Sequence, residues 1–253
     1  MQYTHPLMQS AQWLVDLVRQ GEYIQAYEQY FAEHARGVEN FSYDWSDPVT
    51  VWRDALITKA KKREWMRKTL SLEVSDPSVF NDNQCIVLMK IVTQTENGDT
   101  REDQEYVLYT RENEKVIEER FFYIMPEYTW SEDDILARNF FQDLQQPDFR
   151  ALYKNYFATD ASSVEARWDE TIPAITTWVE NMITKWEQWE KWKEMIEGYT
   201  KNLSIVHDWQ FIVSMGVTTK DMSSWKQESM NEFVLYTITE GKISEERFFY
   251  ISL

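Results

Sequence analysis

Apolar residues recur every three or four positions in two stretches of each half of the chain, which is the spacing of amphipathic helices. The first stretch covers residues 13–18 in one half and 136–144 in the other, and the second covers 23–30 and 149–156. A break that contains glycine or proline separates the two stretches in each half. We therefore expect each half to begin with two helices.

A third helix is predicted to begin near Pro48 in the first half and near Pro173 in the second, because proline is tolerated in a first helical turn. The pattern then changes to runs rich in β-branched and apolar residues, at 86–93 and 211–219, which are typical of strands. Two further strands follow in each half, joined by a short turn. Helices followed by adjacent strands predict an α+β domain with an antiparallel sheet and helices on one face.

The two halves are copies of one another. Residues 105–124 read EYVLYTRENEKVIEERFFYI, and residues 232–251 read EFVLYTITEGKISEERFFYI. Upstream, matching residues are offset by 126, as from Tyr30 to Tyr156, whereas the two hairpins are offset by 127. Near-constant spacing over a whole half indicates duplication of a domain, since solenoid repeats have periods of about 20–50 residues. A linker at residues 125–130 divides the chain, so we expect two domains at 7–126 and 131–253.

The composition excludes several classes of partner. The formal net charge is −17, and such a field repels nucleic acid and anionic membranes. No segment approaches about 18 continuous apolar residues, so no membrane span is expected. The single cysteine, Cys85, allows no intramolecular disulfide, and the N-terminus does not resemble a secretory signal. We therefore expect a cytoplasmic protein, and because metal-ligand spacings and glycine-rich phosphate loops are missing, no metal and no cofactor.

A family resemblance rests on LQQPDFRALYKNYF at residues 144–157, the helix around Trp178, EGKISEERFFY at 240–250, and their first-half counterparts. These segments resemble the SnoaL-like branch of the nuclear transport factor 2-like superfamily. The resemblance covers both halves and implies two tandem cone-shaped domains of the cystatin-like α+β kind. Each would have three helices against a bent antiparallel sheet, with a pocket between them. It implies no single activity, because the superfamily contains isomerases, dehydratases, polyketide cyclases, epoxide hydrolases and non-enzymatic binding domains.

The catalytic sets of that superfamily are not recognisable in the sequence. Its isomerases need a tyrosine and two acids in the pocket, and the sequence alone does not place such a set. Its dehydratases use pocket histidines, and this chain has only His5, His34 and His207. His207 is a candidate general base, or else an exposed residue at the start of a strand.

The repeated hairpin offers charged candidates for a pocket. If paired positions sum to 227, Glu105, Tyr109 and Arg120 share one face of the first hairpin. The second hairpin repeats this arrangement with Glu232, Tyr236 and Arg247. Each glutamate–arginine pair would orient a ligand at the pocket floor or would be a structural ion pair beside the core.

The third helix of the second half carries a stripe of large side chains on one face: Trp178, Met182, Trp186 and Trp189. The stripe is either core packing or an aromatic wall for a planar ligand. Tyr153 and Tyr156 on the preceding helix could face the same cavity. In the first half the corresponding candidates are Tyr27 and Trp52, but the stripe is weaker there, so the second pocket is expected to be the better ligand site.

These observations predict a protein that binds small apolar or aromatic molecules in pockets of its two domains. The hairpins carry apolar residues on both faces, so the two halves are expected to pack sheet against sheet as an intramolecular pseudo-dimer, in a monomer or weak homodimer. The alternative is an enzyme of the cyclase, isomerase or dehydratase kind that acts on a small apolar substrate.

Overall fold

A computed structural model describes residues 6–39, 48–80, 83–124, 132–145, 148–166, 173–206 and 209–251. The chain divides into two compact units, Met1–Ile124 and Met125–Leu253. The expected linker at 125–130 lies outside the described residues, as do His5 and His207. In the described ranges, no helix is long and apolar enough to cross a membrane.

The first unit contains three helices and seven strands among its described residues: α1 (Pro6–Arg19), α2 (Tyr23–Tyr30), β1 (Phe31–Val38), β2 (Val49–Val51), α3 (Arg53–Met66), β3 (Arg67–Val74), β4 (Ser78–Phe80), β5 (Gln84–Thr95), β6 (Thr100–Glu112) and β7 (Lys115–Tyr123). Its sheet has the order β3-β5-β6-β7-β1-β2, and β4 pairs with β5. All pairs are antiparallel except β1 with β7, which is parallel. The sheet is therefore mixed, where the sequence predicts an antiparallel one.

The second unit repeats this arrangement with α4 (Glu132–Asp143), α5 (Phe149–Tyr156), β8 (Phe157–Val164), β9 (Ile175–Thr177), α6 (Val179–Trp189), β10 (Lys193–Val206), β11 (Gln210–Asp221), β12 (Gln227–Thr239) and β13 (Lys242–Ile251). Its sheet has the order β10-β11-β12-β13-β8-β9, again with one parallel pair, β13 with β8. The α+β class predicted for both halves is confirmed. In each unit the helices bury their apolar stripes against one face of the sheet.

The third helix begins later than its proline predicts. Pro48 and Pro173 precede the short strands β2 and β9, and the helices start only after Trp52 and Trp178. The backbone N–H of Trp52 donates to the Ala35 carbonyl at 2.8 Å, which ties the chain to β1 before the helix starts. Trp52 and Trp178 have φ of 81° and 74°, so both sit outside the helical region.

The change of offset between the two halves has a structural location. Gln94 pairs with Thr100 across the β5–β6 turn, and Lys220 pairs with Gln227 across the β11–β12 turn. The second turn is one residue longer. The insertion therefore lies in a turn, where an extra residue disturbs no core contact.

The register of the repeated hairpin differs from the predicted one by one residue. Asn113 and Glu114 form the turn with φ of 47° and 67°, the conformation of a two-residue type I′ turn. A bulge between Thr110 and Arg111 then shifts the pairing, so that Glu105 lies opposite Tyr123 instead of Phe122. The second hairpin has the same shift between Thr237 and Ile238.

This shift places the two hairpin arginines on the face away from the glutamates. Arg120 pairs with Leu108, and Arg247 pairs with Leu235. Because alternate residues point to opposite faces, Glu105 and Arg120 do not share a face, and the same holds for Glu232 and Arg247. The predicted glutamate–arginine pairs are therefore wrong, and the bulge is the physical reason.

Gly37 on β1 lies close to α3. A Cβ at this position would be 2.9 Å from the Leu56 Cδ2 atom and 3.2 Å from the Glu119 Oε1 atom. The second unit has Ser163 here and Met182 in the place of Leu56. The two units thus have different residue pairs at these two matching positions.

We predict that Gly37→Ser destabilises the protein by about 1–3 kcal/mol, because the new side chain overpacks against Leu56. The double variant Gly37→Ser with Leu56→Met should recover most of this loss, since the flexible methionine reproduces the second unit's pair. Urea denaturation of the wild-type protein and both variants measures the effect. A single variant as stable as the wild type, or a double variant less stable than the single one, would contradict the prediction.

Candidate functional site

Each unit buries a set of acidic and hydroxyl side chains on the face of the sheet that carries the helices. The set has three glutamates, one lysine and two tyrosines at matching positions. The first acid cluster comprises Glu39, Glu105, Glu119, Lys59, Tyr27 and Tyr109, and the second acid cluster comprises Glu165, Glu232, Glu246, Lys185, Tyr153 and Tyr236. Buried ionisable groups are common at functional sites, so the two acid clusters are the candidate sites of this protein.

Strand alternation brings the sheet residues of the first acid cluster together. Glu105 and Tyr109 lie four residues apart on β6 and so share a face. Glu119 on β7 pairs with Tyr109 and therefore faces the same side. Tyr27 on α2 and Lys59 on α3 reach this face from the helices.

Direct contacts connect the helices to these acids. The Tyr27 hydroxyl donates to Glu119 Oε1 at 2.7 Å. Lys59 Nζ lies 2.5 Å from Glu39 Oε1, and the Tyr123 hydroxyl donates to the other Glu39 oxygen at 3.3 Å. In the part of the chain that the structure describes, the Glu105 Oε1 atom is buried and has no hydrogen-bond partner.

The second acid cluster repeats the central contact and adds one. The Tyr153 hydroxyl donates to Glu246 Oε1 at 2.8 Å, as Tyr27 does to Glu119. Lys185 Nζ contacts Glu165 at 2.8 Å and the Ser163 hydroxyl at 2.6 Å. In addition, the indole Nε1 of Trp186 donates to the Tyr153 hydroxyl at 2.5 Å.

Burial raises the pKa values of four of these carboxyl groups. Glu119 is 4% exposed, and removal from water raises its pKa to about 8, although the Tyr27 hydrogen bond and Lys59 lower it. Burial likewise raises the pKa of Glu232 to about 8, aided by the nearby Glu165 and Glu246. Burial is also the largest cause of the raised pKa values of Glu105 and Glu246, both about 7. Such groups can exchange protons near neutral pH.

A cavity adjoins the first acid cluster. Its volume is about 30 Å³, within about 360 Å³ of atom-free space that includes its opening to solvent. The wall is apolar, and the polar groups come from helices and sheet together. The lining residues are Leu14, Val18, Tyr23, Ala26, Tyr27, Phe31, Arg63, Met89, Tyr109, Glu119 and Phe121.

The two units differ in side-chain size around this part of the fold. Leu14, Ala60 and Cys85 occupy positions that are Phe140, Trp186 and Phe211 in the second unit. There, Phe140 packs edge-on against Tyr236 with ring centres 4.8 Å apart, and Phe211 stacks on the same tyrosine at 4.8 Å. Three aromatic rings thus fill the second unit where the first has smaller side chains.

The residues of the predicted tryptophan stripe separate into two groups. Trp178 is exposed at the start of α6, and Trp52 is exposed at the start of α3. Met182 is buried, and Trp186 stacks on Phe149. Trp189 packs edge-on against Trp186. Met182, Trp186 and Trp189 therefore form the part of the stripe that lies beside the second acid cluster, and Trp178 lies outside it.

The remaining candidates lie away from the two acid clusters. The Tyr156 hydroxyl donates to Asp143 at 2.6 Å. Arg120 contacts Glu118 at 3.2 Å, and Arg247 contacts Glu245 at 2.8 Å, each on the opposite face of its hairpin.

Several members of the acid clusters were missing from the predicted site: Glu39, Lys59, Glu119, Glu165, Lys185 and Glu246. All six belong to segments that are identical in both halves, such as ITK and EER. A charged residue that is kept in both copies beside apolar neighbours was the available signal. The common face of these residues follows only from the correct strand register, which the bulge changes.

The architecture defines a duplicated α+β protein with a buried acid cluster in each unit. Residues 130–250 match the family model of the SnoaL-like domain. The resemblance to SnoaL-like domains that was stated from the sequence is confirmed for residues 130–250, which lie in the second of two units with the same order of elements. No curated protein matches the chain.

Solved structures similar to this chain include a candidate SnoaL-like polyketide cyclase from Mesorhizobium loti, with 28% identity over 46% of this chain and 97% of the other and a TM-score of 0.43. A candidate SnoaL-like polyketide cyclase from Jannaschia is 14% identical over 49% and 91%, with a TM-score of 0.38. A protein of unknown function from Cytophaga hutchinsonii is 13% identical over 47% and 99%, with a TM-score of 0.37. Each alignment covers about half of this chain.

The raised pKa values predict how stability depends on pH. Between the unfolded pKa of 4.5 and the folded pKa of about 8, Glu119 keeps its proton in the folded state and loses it in the unfolded state. The unfolded state therefore binds fewer protons, so stability falls as pH rises through this range. Glu119→Gln and Glu246→Gln cannot ionise. The free energy of unfolding of each variant minus that of the wild type should therefore increase from pH 5 to pH 8, by on the order of a few kcal/mol.

Urea midpoints measured from pH 5 to pH 8.5 test this prediction. Glu112→Gln is the control, because Glu112 is exposed at the end of β6. A difference between Glu119→Gln and the wild type that stays constant across this pH range would contradict a raised pKa at Glu119.

Proposed function

We propose that the first unit binds a small molecule in the cavity beside the first acid cluster. One observation carries the proposal: the cavity joins an apolar wall to a polar end made by Tyr27, Glu119 and Arg63. Binding pockets for small molecules commonly have this composition, with a few polar groups that fix orientation in a mostly apolar space. The enclosed volume of about 30 Å³ is small, so a ligand would also occupy part of the 360 Å³ of atom-free space that leads to solvent. The SnoaL-like fold is compatible with ligand binding and with catalysis, so the function is inferred from the residues of the site and not from the fold.

The polar end favours a ligand that exchanges hydrogen bonds. Glu119 holds its proton over much of the neutral range because burial raises its pKa to about 8, so it can donate as well as accept. Tyr27 is already oriented by its bond to Glu119. A preoriented group costs less entropy on binding than a mobile one.

The second unit supports this choice by contrast. In the second unit, Trp186 stacks on Phe149 and donates to Tyr153, the residues that match Tyr23 and Tyr27 in the wall of the first cavity. The second pocket, which the sequence favours as the ligand site, therefore has less support than the first. The packing of the two units as a pseudo-dimer stays a prediction.

We predict that Ala60→Trp abolishes ligand binding, because it places at the first site the indole that fills the second. A fragment panel of small alicyclic and aromatic alcohols, ketones and acids, screened by ligand-detected NMR, provides the binders. Lys61→Trp is the matched control, since it adds the same side chain at an exposed position of the same helix.

Fragments that bind the wild type and Lys61→Trp but not Ala60→Trp are the expected result. Fragments that bind all three proteins equally would place the site elsewhere. A panel without any binder would remove the proposal's support.

A second candidate function is acid–base catalysis. A tyrosine and two acids do lie together in the first unit, as Tyr27, Glu119 and Glu105, although the sequence alone did not place them. Because the pKa of Glu119 is about 8, its ionised form dominates only in more alkaline solution, where it could take a proton from the carbon beside a ligand carbonyl and return it to a neighbouring atom.

Glu119 is the candidate base because it lines the cavity. We predict that the protein accelerates exchange of the α-hydrogens of cyclohexanone in D₂O, followed by proton NMR, and that Glu119→Gln returns the rate to that of buffer. Glu246→Gln, the matching change in the second unit, should leave the rate unchanged. A wild-type rate equal to buffer would exclude this candidate for simple ketones and leave the binding proposal intact.

A further inference from the structure

Trp186 is seated in the second unit as a ligand would be. Its indole stacks on Phe149 with ring centres 4.4 Å apart and an interplanar angle of 7°. Its Nε1 donates to the Tyr153 hydroxyl, which in turn donates to Glu246. A flat ring with one N–H donor thus satisfies an aromatic face and a hydroxyl oxygen together.

The first unit keeps these partners and lacks the ring. Tyr27 donates to Glu119 as Tyr153 donates to Glu246, and Tyr23 stands at the position of Phe149. Ala60 stands at the position of Trp186. A hydroxyl that donates one hydrogen bond can still accept another, so the Tyr27 oxygen can receive an N–H from a bound molecule.

Arg63 adds a feature that the second unit does not have, since the matching residue there is Trp189. The guanidinium carbon of Arg63 lies 5.8 Å from the centre of the Tyr23 ring and borders the cavity. Among the described residues, the guanidinium group of Arg63 makes no hydrogen bond and no ion pair within 4 Å. A guanidinium placed in this way can bind a carboxylate through two parallel hydrogen bonds.

We propose that the first site takes a planar aromatic anion with a ring N–H donor, of the indole-carboxylate kind. The ring would stack on Tyr23, the N–H would donate to Tyr27, and the carboxylate would contact Arg63. This inference rests on the proposed binding function and specifies its ligand class.

Three probes separate the contacts in the wild-type protein by isothermal titration calorimetry. Indole-3-carboxylate has all three features, 1-methylindole-3-carboxylate lacks the N–H donor, and indole lacks the charge. The complete probe should bind about tenfold more tightly than either of the others, since a hydrogen bond to an oriented partner contributes about 1.4 kcal/mol. This comparison needs no variant and so does not depend on folding of a mutant.

Variants assign each contact to a residue. Tyr27→Phe should weaken indole-3-carboxylate to the affinity of the N-methyl probe and leave the N-methyl probe unchanged. Arg63→Gln should weaken both carboxylates and leave indole unchanged. Ala60→Trp should abolish binding of all three probes, whereas Lys61→Trp should leave all three unchanged.

Equal affinity of the three wild-type probes would overturn the ligand class. If fragments of other kinds still lost binding in Ala60→Trp, the binding proposal would stand and only its ligand class would fall. If neither the probes nor any fragment bound, both proposals would fall together.

Discussion

The structure of each unit depends on a hydrogen bond between a helix tyrosine and a strand glutamate that are far apart in sequence. Tyr27 and Glu119 are 92 residues apart, and Tyr153 and Glu246 are 93 apart. Each bond joins the second helix of its unit to the last strand of the hairpin. Loss of this bond would leave the buried carboxyl group of Glu119 or Glu246 less well satisfied, at a cost of about 1–3 kcal/mol, so the bond favours the observed position of the helix.

The lysine of each acid cluster completes this arrangement from the third helix. Lys59 pairs with Glu39 at the end of β1, and Lys185 pairs with Glu165 at the end of β8. Burial raises the pKa values of the remaining carboxyl groups, so they stay protonated to a higher pH than exposed glutamates do. Each unit therefore holds several acids in a space that would not tolerate several charges.

The two units differ in the side chains that surround the acid cluster. In the second unit, aromatic side chains pack beside the acid cluster, and the indole N–H of Trp186 donates to the Tyr153 hydroxyl. In the first, smaller residues leave a cavity, and Arg63 supplies a positive charge. Both units therefore keep the same acid cluster and differ in the side chains around it. One copy can keep its fold by filling the space, and the other can remain open to a ligand.

The sequence by itself determined the duplication, the two units, the α+β class and the position of the hairpin turn, because these follow from local pattern and from repetition. It did not determine the face on which Glu105 and Arg120 lie. A single bulge beside the turn reverses that assignment, and a bulge depends on how the strand twists against its neighbours. Nor could it assemble the acid clusters, whose members come from both ends of each unit. The choice between a filled and an open pocket was also left to the tertiary structure, because it depends on the volumes of non-local side chains such as Leu14, Ala60 and Cys85 meeting in one space.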